Sequence, residues 1–289
     1  MRPVFFTFLL LFFLLNQSVH TDIKSLKDDI AFFEKILAYQ SETTFDTKSM
    51  VKLAICYVKD QEVEKGVKLF IETLKYIQIR NPPSVSSTEQ ELYQKALNDY
   101  INRKEGKENA RYILTKYGPI VKEHPDYYLL NYLVAAAYAN LGIIDQFFDT
   151  FIQSYQYYPD NYISYKTQAV LYSILYGKTA EKEEKERLRQ SIEVYIRKAL
   201  KHCHNDSGLY KMLITYCSSS EKKAVIQETI KNILSSEVII PRSEILFFVR
   251  EALKVQEKDH AREFVRKAKK WYDYSRHLKE AEQLVGDRT

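Results

Sequence analysis

The 289-residue chain is short of the residues that interrupt structure and of those that react. It has seven Gly and seven Pro, three Cys, three Met and one Trp. So few turn-formers exclude a fold of many short strands and tight turns, and the long intervals between them are filled with Lys, Glu, Leu, Ala and Gln, which favour helix. Three cysteines, Cys56, Cys203 and Cys217, cannot all pair within one chain. A helical register also puts Cys203 and Cys217 roughly 15 Å apart along an axis, too far for a bond, so buried thiols acting as small hydrophobes are expected. There is no Gly-rich phosphate loop, nucleophile elbow, HExxH or CxxC. The acidic residues sit at ion-pair spacings, and no two stand out as an acid and base. The HCH run at His202 to His204 points its members to different sides of a helix end and has no second ligand cluster, so surface polar residues are expected in place of a zinc site. No catalytic residue, metal or cofactor is expected, and the chain reads as non-enzymatic.

After the first 21 residues, no stretch is apolar enough to span a membrane. Those 21 have a basic start at Arg2, an apolar run from Val4 to Leu15 broken by Thr7, and a polar exit, NQSVHT. The run is shorter than the roughly 20 residues a spanning helix needs and has the layout of a signal peptide. Export to a periplasmic or secreted location is expected, with cleavage after Thr21; the alternative is a membrane anchor through an uncleaved leader, the one membrane contact foreseen.

What the chain has in quantity is helical periodicity and tyrosine. It is 45% hydrophobic, enough for a continuous core, with a formal charge of +5 and 23 Tyr. Leu130, Leu133, Val134, Ala137, Tyr138 and Leu141 recur at three and four, as do Phe147, Phe148, Phe151, Ile152 and Tyr155, with Gly142 between them. This describes an antiparallel helix pair. Counted from Tyr128, Ala135, Tyr138, Gly142, Phe151, Ser154 and Pro159 occupy the marked positions of a 34-residue helix-turn-helix. The same register finds Ala54, Tyr57, Gly66 and Phe70 in a unit from Thr47 to Arg80, and Ala169 and Tyr172 in a unit from Tyr162. It finds Tyr216 in a unit counted from Asp206, and Ala261 and Ala268 near the end of the chain. Phe147 stands where a small residue is usual.

These units resemble the tetratricopeptide repeat. The resemblance implies an all-α, right-handed α-solenoid of five to six repeats over residues 22–289, with a C-terminal capping helix. Residues 81–87 form a short linker, and an eleven-residue charged insertion falls within residues 178–190 and extends a helix as a solvated arm. Gly118 and Pro119 are expected to kink or break a helix, Ser25, Thr88 with Glu91, and Ser243 to cap helices, and a last helix to run from Trp271 through Leu284.

The resemblance also implies a concave groove that holds a peptide or partner protein. It places Tyr132, Ala136, Asn140, Lys166 and Tyr210 on that groove. A second, different reading takes the stripe Lys258, Arg262, Arg266, Lys269 and Lys270 as a site for an envelope surface or polyanion; export argues against nucleic acid as the partner.

Overall fold

In the computed structural model, the described residues are 23–38, 46–102, 106–235, 240–270, 272 and 276–286, so the leader, Trp271 and residues 103–105 lie outside the description. The described residues form fourteen helices and no strand. They divide into two compact units, the first ending at Leu188 and the second beginning at Arg189.

The first unit holds α1 (Ile23–Ala38), α2 (Thr47–Lys59), α3 (Val63–Tyr76), α4 (Ser87–Asn102), α5 (Gly106–Glu123), α6 (Tyr128–Leu141), α7 (Ile144–Tyr155) and α8 (Tyr162–Lys178). Links of two or three residues between α2 and α3 and between α6 and α7 force antiparallel pairs. Asp46 starts α2 by accepting from the amides of Lys48 and Ser49 at 3.1 and 3.3 Å. Gly142 ends α6 in the left-handed region, φ 83°, where glycine carries no steric penalty. Six of the marked repeat positions, Ala54, Phe70, Ala135, Phe151, Ser154 and Ala169, are fully buried.

Two repeat positions set how closely helices approach. At Gly66, a Cβ would lie 2.7 Å from Val58 Cγ2 and 2.8 Å from the Ala54 carbonyl oxygen, so α3 lies directly on the backbone of α2. Phe147 does the opposite. With Phe148 and Phe151 it surrounds Phe70 of α3, ring centroids 6.3, 4.3 and 5.9 Å away. The α2–α3 pair therefore packs on α7 and α8, helices far later in the chain, as well as on its own partner. Lys59 to Asp145 (2.8 Å) and Lys52 to Asp149 (3.9 Å) flank this contact. The intervening α4 and α5 pack on α6. They are joined to each other through Asp99, whose Oδ2 accepts from Lys116 Nζ (2.8 Å), Tyr117 Oη (2.7 Å) and Tyr112 Oη (3.2 Å).

Several expected boundaries move. The α1 helix starts at Ile23, before Ser25. Ser86 caps α4 through the Glu89 amide, so Thr88 and Glu91 are not the cap. The α5 helix runs unbroken through Pro119, which lies four residues from its end and forgoes a single hydrogen bond there. Residues 81–87 are a tethered strap: the Arg80 amide donates to the Gln156 carbonyl (2.8 Å) and Tyr158 Oη to the Pro83 carbonyl (2.8 Å).

The second unit contains most of α9 (Lys182–His202), then α10 (Ser207–Tyr216), α11 (Lys222–Ser235), α12 (Arg242–Lys254), α13 (Lys258–Lys269) and α14 (Arg276–Val285). The 178–190 insertion is not one helix; α8 stops at Lys178, residues 179–181 turn, and α9 begins at Lys182 with exposed first turns. Glu183 and Arg187, one turn apart in α9, pair at 2.7 Å. From Leu188 the helix turns inward on Ile192, Ile196 and Ala199. Asp206 is the N-cap of α10, whose first residue Ser207 comes one after the start of the repeat counted from Asp206, and Ser207 and Lys211 hold Glu244 of α12 at 2.9 and 3.5 Å. Pro241 precedes the first residue of α12, which thus starts before Ser243. The last helix begins at Arg276 and buries Leu278, Ala281 and Val285, while Leu284 is exposed. All three cysteines are buried thiols.

Gly66→Ala must push α2 and α3 apart, since one of the two clashing atoms is backbone; a loss of about 1–3 kcal/mol is expected in urea unfolding. An unchanged midpoint would show that the helices do not depend on this approach.

Candidate functional site

The first unit carries an open-mouthed cavity of about 280 Å³ where α2, α3, α4, α6, α7 and α8 converge. Its walls are aliphatic and aromatic: Val58 and Val67 from the first pair, Phe147 and Phe148 from α7, Val170 and Leu171 from α8. The space exists because α6 presents Ala136 and Ala139 where larger side chains would fill it. Tyr100, Asn140, Lys166 and Thr167 add the polar atoms, and each is half-buried. Among the described residues lining the cavity, Lys166 alone carries charge. Its ammonium lies 5.0 Å from the Tyr100 ring centroid and 5.5 Å from that of Tyr162, and donates to Tyr162 Oη at 3.1 Å. The Tyr100 ring face and the Tyr162 hydroxyl thus hold the cation in place.

The structure brings three of the five expected groove residues, Ala136, Asn140 and Lys166, to this one cavity. The other two are core residues. Tyr132 is fully buried, donates to the Tyr158 carbonyl at 2.8 Å and packs edge-on against Phe151; burial raises its phenol well above the ordinary value. Tyr210, in the second unit, is 4% exposed, and burial raises its pKa too. Neither presents the surface a groove contact needs. Tyrosine at these positions supplies a ring for packing and a hydroxyl that finds an interior acceptor.

Sequence reasoning missed Glu89. It lies on α4, is 4% exposed, and its Oε1 accepts from the Leu129 amide at 2.9 Å. The N-cap of α6, Tyr127, has no side-chain cap of its own, so a carboxylate from a neighbouring helix satisfies the start of the helix that carries Ala136 and Asn140. The only trace in the sequence is an acid near the start of α4, indistinguishable there from a local helix cap.

The basic stripe on α13 is exposed, but carboxylates accompany it. Arg262 meets Asp259 at 3.2 Å, Arg266 meets Glu263 at 3.6 Å, and Lys269 meets Glu282 of α14 at 2.7 Å. Lys258 and Lys270 lie exposed at the ends of the stripe. The surface is therefore mixed in sign, whereas a polyanion site needs a field of one sign. At the HCH run, Cys203 is buried while His204 is exposed, with Nδ1 2.9 Å from the Leu200 carbonyl. Among the described residues no group of three or more His, Cys, Asp or Glu is placed to hold a metal, and no helix is long and apolar enough to cross a membrane.

No protein-family model matches the chain, and no curated protein matches it. Among solved structures, a thermophilic TPR protein of Thermus thermophilus is similar with a TM-score of 0.45 and 15% sequence identity, over 68% of this chain and 98% of that one.

Burial raises the Glu89 carboxyl above its ordinary 4.5, against the pull of the Leu129 and Leu130 amides. The folded chain then keeps that proton to higher pH than the unfolded chain. The resulting contribution to stability is complete below pH 4.5 and is lost as pH rises through the folded value. Glu89→Gln keeps an oxygen for the Leu129 amide and cannot ionise. It should lose less stability than the wild type as pH rises from about 4 in urea melts; an equal or larger loss would mean that folding does not raise this carboxyl.

Proposed function

We propose that the chain is a non-enzymatic helical-repeat scaffold that holds a protein partner by seating an apolar anchor in the cavity of its first unit. The observation that carries this reading is convergence. Ala136, Asn140 and Lys166, chosen as ligand-facing positions from the repeat register alone, belong to two helices and line a single space. Hydrocarbon walls with a few fixed polar groups are the usual make-up of a recognition pocket, in which burial supplies affinity and the polar groups set orientation. An amide and a fixed cation suit a segment with backbone carbonyls or an acidic side chain beside its anchor.

The leader's layout supports export as a further part of the proposal, so the partner would be met outside the cytoplasm. Intact-mass analysis of the chain recovered from its source should then show Asp22 as the first residue; a chain retaining Met1 in the membrane fraction would establish the anchored alternative.

Ala136→Trp fills the cavity from the α6 wall. Proteins captured by the full wild-type chain should be lost, by tenfold or more, from the variant, while helicity by circular dichroism is retained. Undiminished capture by a folded variant would remove the cavity from the function.

A further inference from the structure

The interior of the cavity and its rim differ in what they can satisfy. An entering peptide brings an amide and a carbonyl with every residue, and each needs a partner once it is out of water. Behind the rim the walls are Phe147, Phe148 and Leu171, which have no polar atom to offer. What fits there is hydrocarbon. The volume, about 280 Å³, is roughly nine times the ~30 Å³ a water molecule occupies in the liquid, which is room for a chain of about eight to ten carbons. The charged contact is cationic, from Lys166, held against the ring of Tyr100 and the hydroxyl of Tyr162.

We infer that the cavity binds a medium-chain anionic amphiphile, with its alkyl tail between Phe147, Phe148 and Leu171 and its carboxylate at Lys166. This rests on the reading of the cavity as a receiving site and extends it. A carboxylate of this kind takes the same space as a partner's anchor, so its concentration regulates partner capture by competition. The carboxylate at Lys166 gives the site a preference of sign that an apolar hole lacks. A ligand of the same length and opposite charge is excluded by the fixed ammonium.

Titration calorimetry of the full chain with decanoate, decanol and decylamine, each below its micelle concentration, tests this. Decanoate should bind one-to-one and at least tenfold more tightly than decylamine. Lys166→Met should bring the two within about threefold of each other, and Ala136→Trp, which leaves the leader in place, should abolish decanoate binding. Absence of saturable decanoate binding, equal affinity for decylamine, or binding that survives in folded Ala136→Trp would each overturn the inference. Partner capture by the same variant is scored separately. Loss of capture without decanoate binding leaves the scaffold reading intact, and decanoate binding without any effect on capture leaves only the small-ligand site.

Discussion

The packing of the first helix pair on the later helices of the first unit depends on the burial of Phe70 among Phe147, Phe148 and Phe151. A helix pair has two faces and its partner covers only one. In a stack of repeats the second face is met by the next repeat along the chain. Here the second face of α2 and α3 is met by α7 and α8. Truncating a buried ring of this kind costs about 3–5 kcal/mol, a large part of the 5–15 kcal/mol that holds a typical domain together. The cavity follows from the same contact: its walls are the helices that the phenylalanines bring together, and Ala136 and Ala139 are too small to close the gap between them.

Much of this was legible in the sequence because it is local. Apolar spacing gave the helices and Gly142 gave the turn, and the register marked Gly66, where the structure brings Val58 and Ala54 close. The expectations that moved are those in which a local signal is answered by something distant. Thr88 and Glu91 have the spacing of a cap, yet Ser86 does that work and the buried acid, Glu89, serves another helix. Pro119 is a helix breaker by type, yet α5 continues through it. Of the groove positions, Ala136, Asn140 and Lys166 line one cavity, whereas tyrosine was ambiguous. Its ring and hydroxyl suit a rim and an interior equally, and for Tyr132 the Tyr158 carbonyl decides in favour of the interior.

The abundance of tyrosine has a structural use that its count alone does not reveal. Tyr112 and Tyr117 bring hydroxyls to Asp99, Tyr132 and Tyr158 donate to backbone carbonyls of other segments, and Tyr100 and Tyr162 flank Lys166. The Asp99 site shows how such contacts tune charge. Burial works to raise its carboxyl, and the bonds from Lys116 and Tyr117 outweigh that and hold it below the ordinary value. Tyr117 is pushed up to about 12 by burial and by the same carboxylate. Phenylalanine at Tyr132 would pack in its place but leave the Tyr158 carbonyl without this donor, a loss of about 1–3 kcal/mol if that group stays out of water.

The strap that joins α3 to α4 also bears on how the chain is made. Arg80 and Pro83 are bound to Gln156 and Tyr158, and Phe70 to residues 147–151, so the early helices complete their set of neighbours only after some 70 to 80 further residues have been added. An array in which each repeat met only its neighbour would consolidate from its N-terminus as it was synthesised. This unit must instead hold α2 and α3 in waiting, with Phe70 uncovered, until α7 arrives. Closing so long a loop slows folding, and during that delay the exposed ring is a site for chaperones or for misassociation.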